Sequence, residues 1–69
     1  MDQEYVAKSI EKFYKKENIN PLTSPIDLYN KWAQTEKVII EDPELANWAL
    51  ERIKGLLNTD SDVIDNFIS

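Results

Sequence analysis

Apolar residues recur at helical spacing along most of the chain, and this pattern predicts an all-α fold. Near the N-terminus, Val6, Ile10, Phe13 and Tyr14 form one stripe. Lysines and glutamates fill the opposite side, as expected for an amphipathic helix with one face in a core. We expect this first helix to cover about residues 2 to 17. It should stop before Asn20-Pro21, because a residue that precedes proline disfavours the α region.

A second helix is predicted to begin at Ser24-Pro25, where a capping residue precedes a proline at the first helical position. Its apolar residues between Ile26 and Ile40 cover nearly half of the helix circumference. So broad an apolar face indicates a helix that sits between two others. We expect this helix to end by Glu41, because Asp42 precedes Pro43.

The strongest start signal in the chain is Asp42-Pro43-Glu44, which predicts a third helix from Pro43 to about Leu57. Asn58 could cap that helix in the left-handed region. Thr59 or Asp60 would then open a short fourth helix. The apolar edge of this fourth helix would consist of Val63, Ile64, Phe67 and Ile68.

These elements predict a small bundle of three helices plus a short C-terminal fourth helix, forming a single domain over residues 1–69. The predicted core comprises Ile10, Phe13, Leu28, Trp32, Ile53 and Leu56. The 69 residues include no Cys and no His, so neither a disulfide nor an ordinary zinc site can support so short a chain. Stability must therefore come from apolar packing, helix caps or self-association.

The residue types present exclude most catalytic chemistry. No Ser or Thr has a His to activate it, no Lys falls on an apolar face, and a single Gly cannot form a phosphate-binding loop. The acids at Asp60, Asp62 and Asp65 resemble the start of a calcium loop, but such a loop needs Gly at its sixth position. Asp65 stands there. We therefore predict no enzyme activity, no cofactor and no metal.

The net charge of −5 and the sequence pI of about 4.5 argue against nucleic acids or anionic membranes as partners. The basic patch of Lys8, Lys12, Lys15 and Lys16 is interleaved with Glu4 and Glu11, which indicates the solvated back of the first helix. No apolar run approaches the roughly 18 residues that span a bilayer. The acidic N-terminus lacks the features of a signal peptide, so we expect a cytoplasmic protein.

Trp48 is the least ordinary residue, because it lies to one side of the predicted core face of the third helix. Arg52 and Gly55 follow it at i+4 and i+7, and this row predicts a surface notch in which Arg52 stacks on the indole. Gly55 would allow another helix to approach closely. With Tyr29 of the second helix, these residues form the candidate partner-binding set. The alternative is that the fourth helix covers the notch and Trp48 belongs to the core.

The sequence thus predicts a small acidic, non-catalytic protein-interaction or regulatory module that acts through a helical surface. Ile, Lys and Asn together supply 21 residues, which favours an accessory protein from an AT-rich genome such as that of a bacterium or its phage. One alternative is a small helical nucleic-acid-binding domain. Another is a structural homo-oligomer, in which the broad face of the second helix forms a homodimer.

Two segments, Asn47–Ala49 and Asp62–Ile68, together resemble the signature of PWI domains, which are helical RNA-processing modules. The resemblance covers about the last 22 residues. Asn47 stands where that family has proline, and the basic flanks that serve its nucleic-acid binding are absent. The resemblance implies a helical module of this kind, and we do not assign the chain to the family on it.

Overall fold

The computed structural model describes the backbone of residues 1–68 and the side chains of residues 1–59. It contains three helices: α1 (Gln3–Lys16), α2 (Pro25–Thr35) and α3 (Pro43–Ile68). No strand occurs in residues 1–68. The all-α class is therefore confirmed. The predicted short fourth helix is not formed as a separate element.

Helix α1 matches its predicted bounds to within one residue at each end. The Asp2 carboxylate caps it by accepting a hydrogen bond of 2.9 Å from the Tyr5 amide. Val6, Ile10 and Phe13 form its buried stripe. In the loop that follows, the Asn20 side chain accepts a hydrogen bond from the Leu22 amide at 3.0 Å, which shapes the turn at the proline.

Helix α2 begins at Pro25 as predicted, although Ser24 makes no capping hydrogen bond with its side chain. It ends at Thr35, six residues before the latest position that the sequence allows. Lys37 adopts a left-handed conformation with a φ of 54°, and the Val38 amide donates to the Ala33 carbonyl at 2.9 Å. This is the hydrogen bond of a Schellman ending. Gly or Asn usually occupies the left-handed position of such an ending, so Lys37 does not predict it.

The segment from Val38 to Ile40 alternates between inside and outside. Val38 is only 5% exposed and belongs to the core, Ile39 is 80% exposed, and Ile40 packs partly against the core. Alternation of this kind is typical of an extended chain rather than a helix. The apolar run that appeared to prolong the second helix therefore folds back over the bundle as a connecting segment.

Helix α3 runs without interruption from Pro43 to Ile68. At its start the Asp42 carboxylate accepts a hydrogen bond from the Glu44 amide at 3.0 Å, in agreement with the predicted cap. The predicted break at Asn58 and Thr59 was wrong. The Thr59 hydroxyl donates to the Gly55 carbonyl one turn earlier, at 2.9 Å, instead of capping a new helix.

The core joins all three helices and the connecting segment. Helix α3 packs against both α1 and α2. The predicted core is largely confirmed, except that Leu57 is buried where Leu56 was expected and Leu56 is only partly buried. The fully buried residues are Val6, Ile10, Phe13, Leu28, Trp32, Val38, Ala49, Ile53 and Leu57.

Trp32 is the largest side chain in this core, and none of its surface is exposed. Its indole N–H donates a hydrogen bond of 3.1 Å to the Ser9 hydroxyl of α1. A buried indole N–H without an acceptor would lose its hydration without compensation. Ser9 therefore allows α2 to place a tryptophan against α1.

We predict that Ser9→Ala destabilises the fold by about 1 kcal/mol, because the buried indole N–H loses its partner. In a Trp32→Phe background the same substitution should be neutral or slightly stabilising, since alanine is the better helix former. Urea unfolding followed by circular dichroism of the four variants gives the coupling free energy. Equal effects of Ser9→Ala in both backgrounds would contradict the assigned role of the hydrogen bond.

Candidate functional site

One concave surface in the described part of the chain is a groove between α2 and α3, here called the α2–α3 groove. Its volume is about 450 Å³. The walls are mostly apolar, with two amide side chains among them. The lining residues are Ile26, Tyr29, Asn30, Pro43, Ala46, Asn47 and Leu50.

Helical spacing brings these residues to the two sides of the groove. On α3 the lining positions follow at i, i+3, i+4 and i+7 from Pro43 to Leu50, which is one side of a helix. On α2, Ile26 and Tyr29 are three residues apart and share a side. Ala46 is small, and therefore leaves room between the two walls.

Tyr29 forms a wall that the core holds in place. Its ring makes an edge contact with Trp32 at a centroid distance of 5.6 Å and an interplanar angle of 63°. Such a pair contributes about 0.5–1.5 kcal/mol beyond its buried area. Ile26, by contrast, remains 60% exposed at the edge of the groove. The groove thus combines a fixed aromatic wall with an aliphatic side chain that still faces solvent.

The lining of the groove is mostly uncharged. Apart from the Tyr29 phenol, its lining includes no ionisable side chain. Asn30 and Asn47 can donate and accept hydrogen bonds at its edges. An apolar surface with a few amides suits the apolar side chains of a ligand, and the Tyr29 phenol adds one further hydrogen-bonding group.

The other predicted partner-binding residues lie away from this groove. Arg52 and Gly55 are exposed and line a notch of about 410 Å³ with Glu51, Leu56 and Thr59. Trp48 is partly buried against the core and does not line that notch. Among the residues whose side chains are described, Arg52 and Trp48 form no cation–π contact, so the predicted stacking of Arg52 on the indole is not observed. Only Tyr29 of the predicted set lies in the α2–α3 groove.

A polar cleft lies between α1 and the end of α2. Glu36 reaches this cleft beside Lys8 and Lys12, and one of its carboxylate oxygens is buried without a hydrogen-bond partner among the described residues. Lys8 instead forms an ion pair with Glu4, with 3.1 Å between Nζ and Oε1. The sequence patterns did not indicate this cleft.

The described side chains form no cluster of three or more acids that could hold a metal ion. The acids Asp60, Asp62 and Asp65 lie outside the residues whose side chains are described. In the part of the chain that the structure covers, none of the helices combines the length and apolar character needed to cross a bilayer.

Sequence reasoning missed most of the groove, because it searched α3 for a core face and for an unusual aromatic. Asn30, Ala46, Asn47 and Leu50 attract no attention one by one. A signal was present in the spacing of Ala46 and Leu50, which continue the apolar face of α3 toward one flank. What could not be read was that this flank of α3 faces Ile26, Tyr29 and Asn30 of α2 across a groove.

Comparison of the chain with protein-family models, with curated proteins and with solved structures finds no match. The resemblance of the last third of the chain to PWI domains is therefore without support from a family model.

We predict that Gly55→Ala stabilises the protein by about 1 kcal/mol. Glycine inside a helix carries that cost relative to alanine, and a methyl group at this position would meet no atom within 4 Å. The midpoint of urea unfolding, compared with that of the natural chain, checks this. A lower midpoint would show that the described surroundings of Gly55 are wrong.

Proposed function

We propose that this chain is a small, non-catalytic protein-interaction module that binds a partner protein through a helical surface, with the α2–α3 groove as the main contact. The observation that carries the proposal is the groove itself, a concave apolar surface with an exposed aliphatic edge at Ile26. Pockets of this composition on small helical domains favour the docking of apolar side chains. The partner would be regulated by occlusion or held by bridging.

The charge arrangement supports a protein partner over a nucleic acid. Two of the four lysines of the α1 stripe are paired, Lys8 with Glu4 at 3.1 Å and Lys15 with Glu11 at 3.0 Å. The groove has no lysine or arginine in its lining. Phosphate contacts need unpaired cations along one face, and a net charge of −5 opposes them.

The notch at Arg52 and Gly55, with Trp48 beside it, remains a second candidate contact. Arg52 is exposed and has no ion pair among the described residues. Exposed arginines are frequent anchors at interfaces. A surface of this kind would place a second contact on the flank of α3 opposite to the groove, which suits a protein that bridges two partners.

A photo-crosslinking experiment tests the groove. We expect Ile26→p-benzoylphenylalanine to form a discrete adduct in a lysate of the source cells, and excess natural chain should suppress it by competition. Excess Ile26→Ser chain should compete less well, because the edge of the groove is truncated.

The matched control is Ile39→p-benzoylphenylalanine, since Ile39 is equally apolar and even more exposed but lies outside the groove. The same adducts from both positions would indicate nonspecific hydrophobic binding and would contradict the proposal. Absence of any adduct from position 26, with both variants folded, would also contradict it.

A further inference from the structure

We infer that the partner element that fits the α2–α3 groove is an amphipathic helix whose apolar face is flanked by lysine or arginine. This inference rests on the proposed function and specifies the partner chemistry of the same site. It follows from the shape of the groove and from the charges that surround it.

The shape of the groove favours a helix over other peptide conformations. An added strand needs an open sheet edge, and residues 1–68 include no strand. Recognition of a polyproline segment needs a groove lined by several aromatic rings, whereas Tyr29 is the single aromatic residue here. A groove between two helices instead accepts apolar side chains at i, i+3, i+4 and i+7 of a third helix.

The charged residues next to Pro43, where α3 begins at the groove, are acidic. Asp42 and Glu44 flank this lining residue, and Glu41 precedes them; all three are exposed. Among the described residues, no lysine or arginine pairs with the three acids near Pro43. The cation nearest in sequence to the lining on α3, Arg52, lines the notch on the other flank of α3, and Lys54 lies 3.4 Å from Glu51.

The basic residues of the chain that lie closest in sequence to the α2 wall face elsewhere. Lys31 follows Asn30, but it lines a different cleft, on the loop side of α2, together with Asp27. The lysine stripe belongs to α1, which contributes no residue to the groove. A partner helix would therefore meet carboxylates at the margin of the groove, and basic flanks would steer it and select it.

The same charges disfavour a second copy of this chain as the occupant. Each copy has a net charge of −5, so self-docking would bring together two acidic margins. The apolar stripe of α1, the most basic helix, is already buried in the core at Val6, Ile10 and Phe13. The C-terminal stretch 60–68 contains three Asp and no Lys or Arg, so its charge also mismatches the margin.

Two synthetic peptides test the inference. Both have leucine at i, i+3, i+4 and i+7 over four turns, and they differ only in having lysine or glutamate at the flanking positions. Fluorescence anisotropy with the full chain should show binding of the lysine peptide and none of the glutamate peptide at the same concentration. Raising the salt concentration from 0.05 M to 0.5 M should weaken the binding, since the marginal charges are exposed.

Two pairs of variants locate the binding. Ile26→Ser should lower the affinity for the lysine peptide about tenfold, whereas Ile39→Ser should leave it unchanged. Glu44→Gln should weaken binding by about twofold to fivefold. Asp27→Asn removes the same charge away from the groove and should have no effect. Circular dichroism confirms that each variant is folded.

Each alternative outcome has a distinct meaning. Equal binding of both peptides, with loss in Ile26→Ser, would overturn the basic-flank inference while leaving the groove as a helix-binding site. Lysine-peptide binding that Ile26→Ser and Ile39→Ser leave equally strong would reflect bulk charge and overturn the inference. A dimer by light scattering that Ile26→Ser dissociates would show that a second copy is the occupant, which also overturns it.

Discussion

Trp32 lies fully buried among α1, α2 and α3, and its indole N–H reaches the Ser9 hydroxyl at 3.1 Å. A chain of 69 residues without cysteine or histidine has few other ways to hold three helices together. One large aromatic side chain fills much of the space between them. Its single polar atom is satisfied by a residue of another helix, which fixes α2 relative to α1. Tyr29 packs edge-on against Trp32, so this contact with the core helps to fix the position of one wall of the α2–α3 groove.

Helix α2 ends earlier than its apolar pattern predicts, and this changes the path of the chain between α2 and α3. Helix α2 stops at Thr35, and the left-handed Lys37 directs Val38 into the core. Had the helix continued to Glu41, Val38 would have remained on the helical surface and the connecting segment could not have folded back. Pro43 then starts α3 close to α2, so that the two helices define a groove with apolar walls and an acidic margin.

The sequence was sufficient for the class of fold and for the starts of the helices, because proline, capping acids and apolar spacing are local signals. It failed where the outcome depended on tertiary contacts. Lys is not a residue type that favours a left-handed ending. At Lys37 this conformation is accompanied by the burial of Val38 and by the hydrogen bond from the Val38 amide to the Ala33 carbonyl. Thr59 is compatible both with a helix cap and with a position inside a helix. In the structure its hydroxyl donates to the Gly55 carbonyl, and α3 continues through this position. Of the predicted partner-binding residues, Tyr29 alone lies in the groove, because the groove depends on how α2 packs against α3, and that is a tertiary contact.

The most direct test of this account is a map of backbone amide chemical shifts of the full chain during titration with the lysine-flanked helical peptide. The account predicts that the largest changes cluster at Ile26, Asn30, Ala46 and Leu50, with little change along the solvent face of α1. Changes centred on Arg52 and Gly55 would place the contact on the opposite flank of α3. That result would contradict the assignment of the α2–α3 groove as the binding surface.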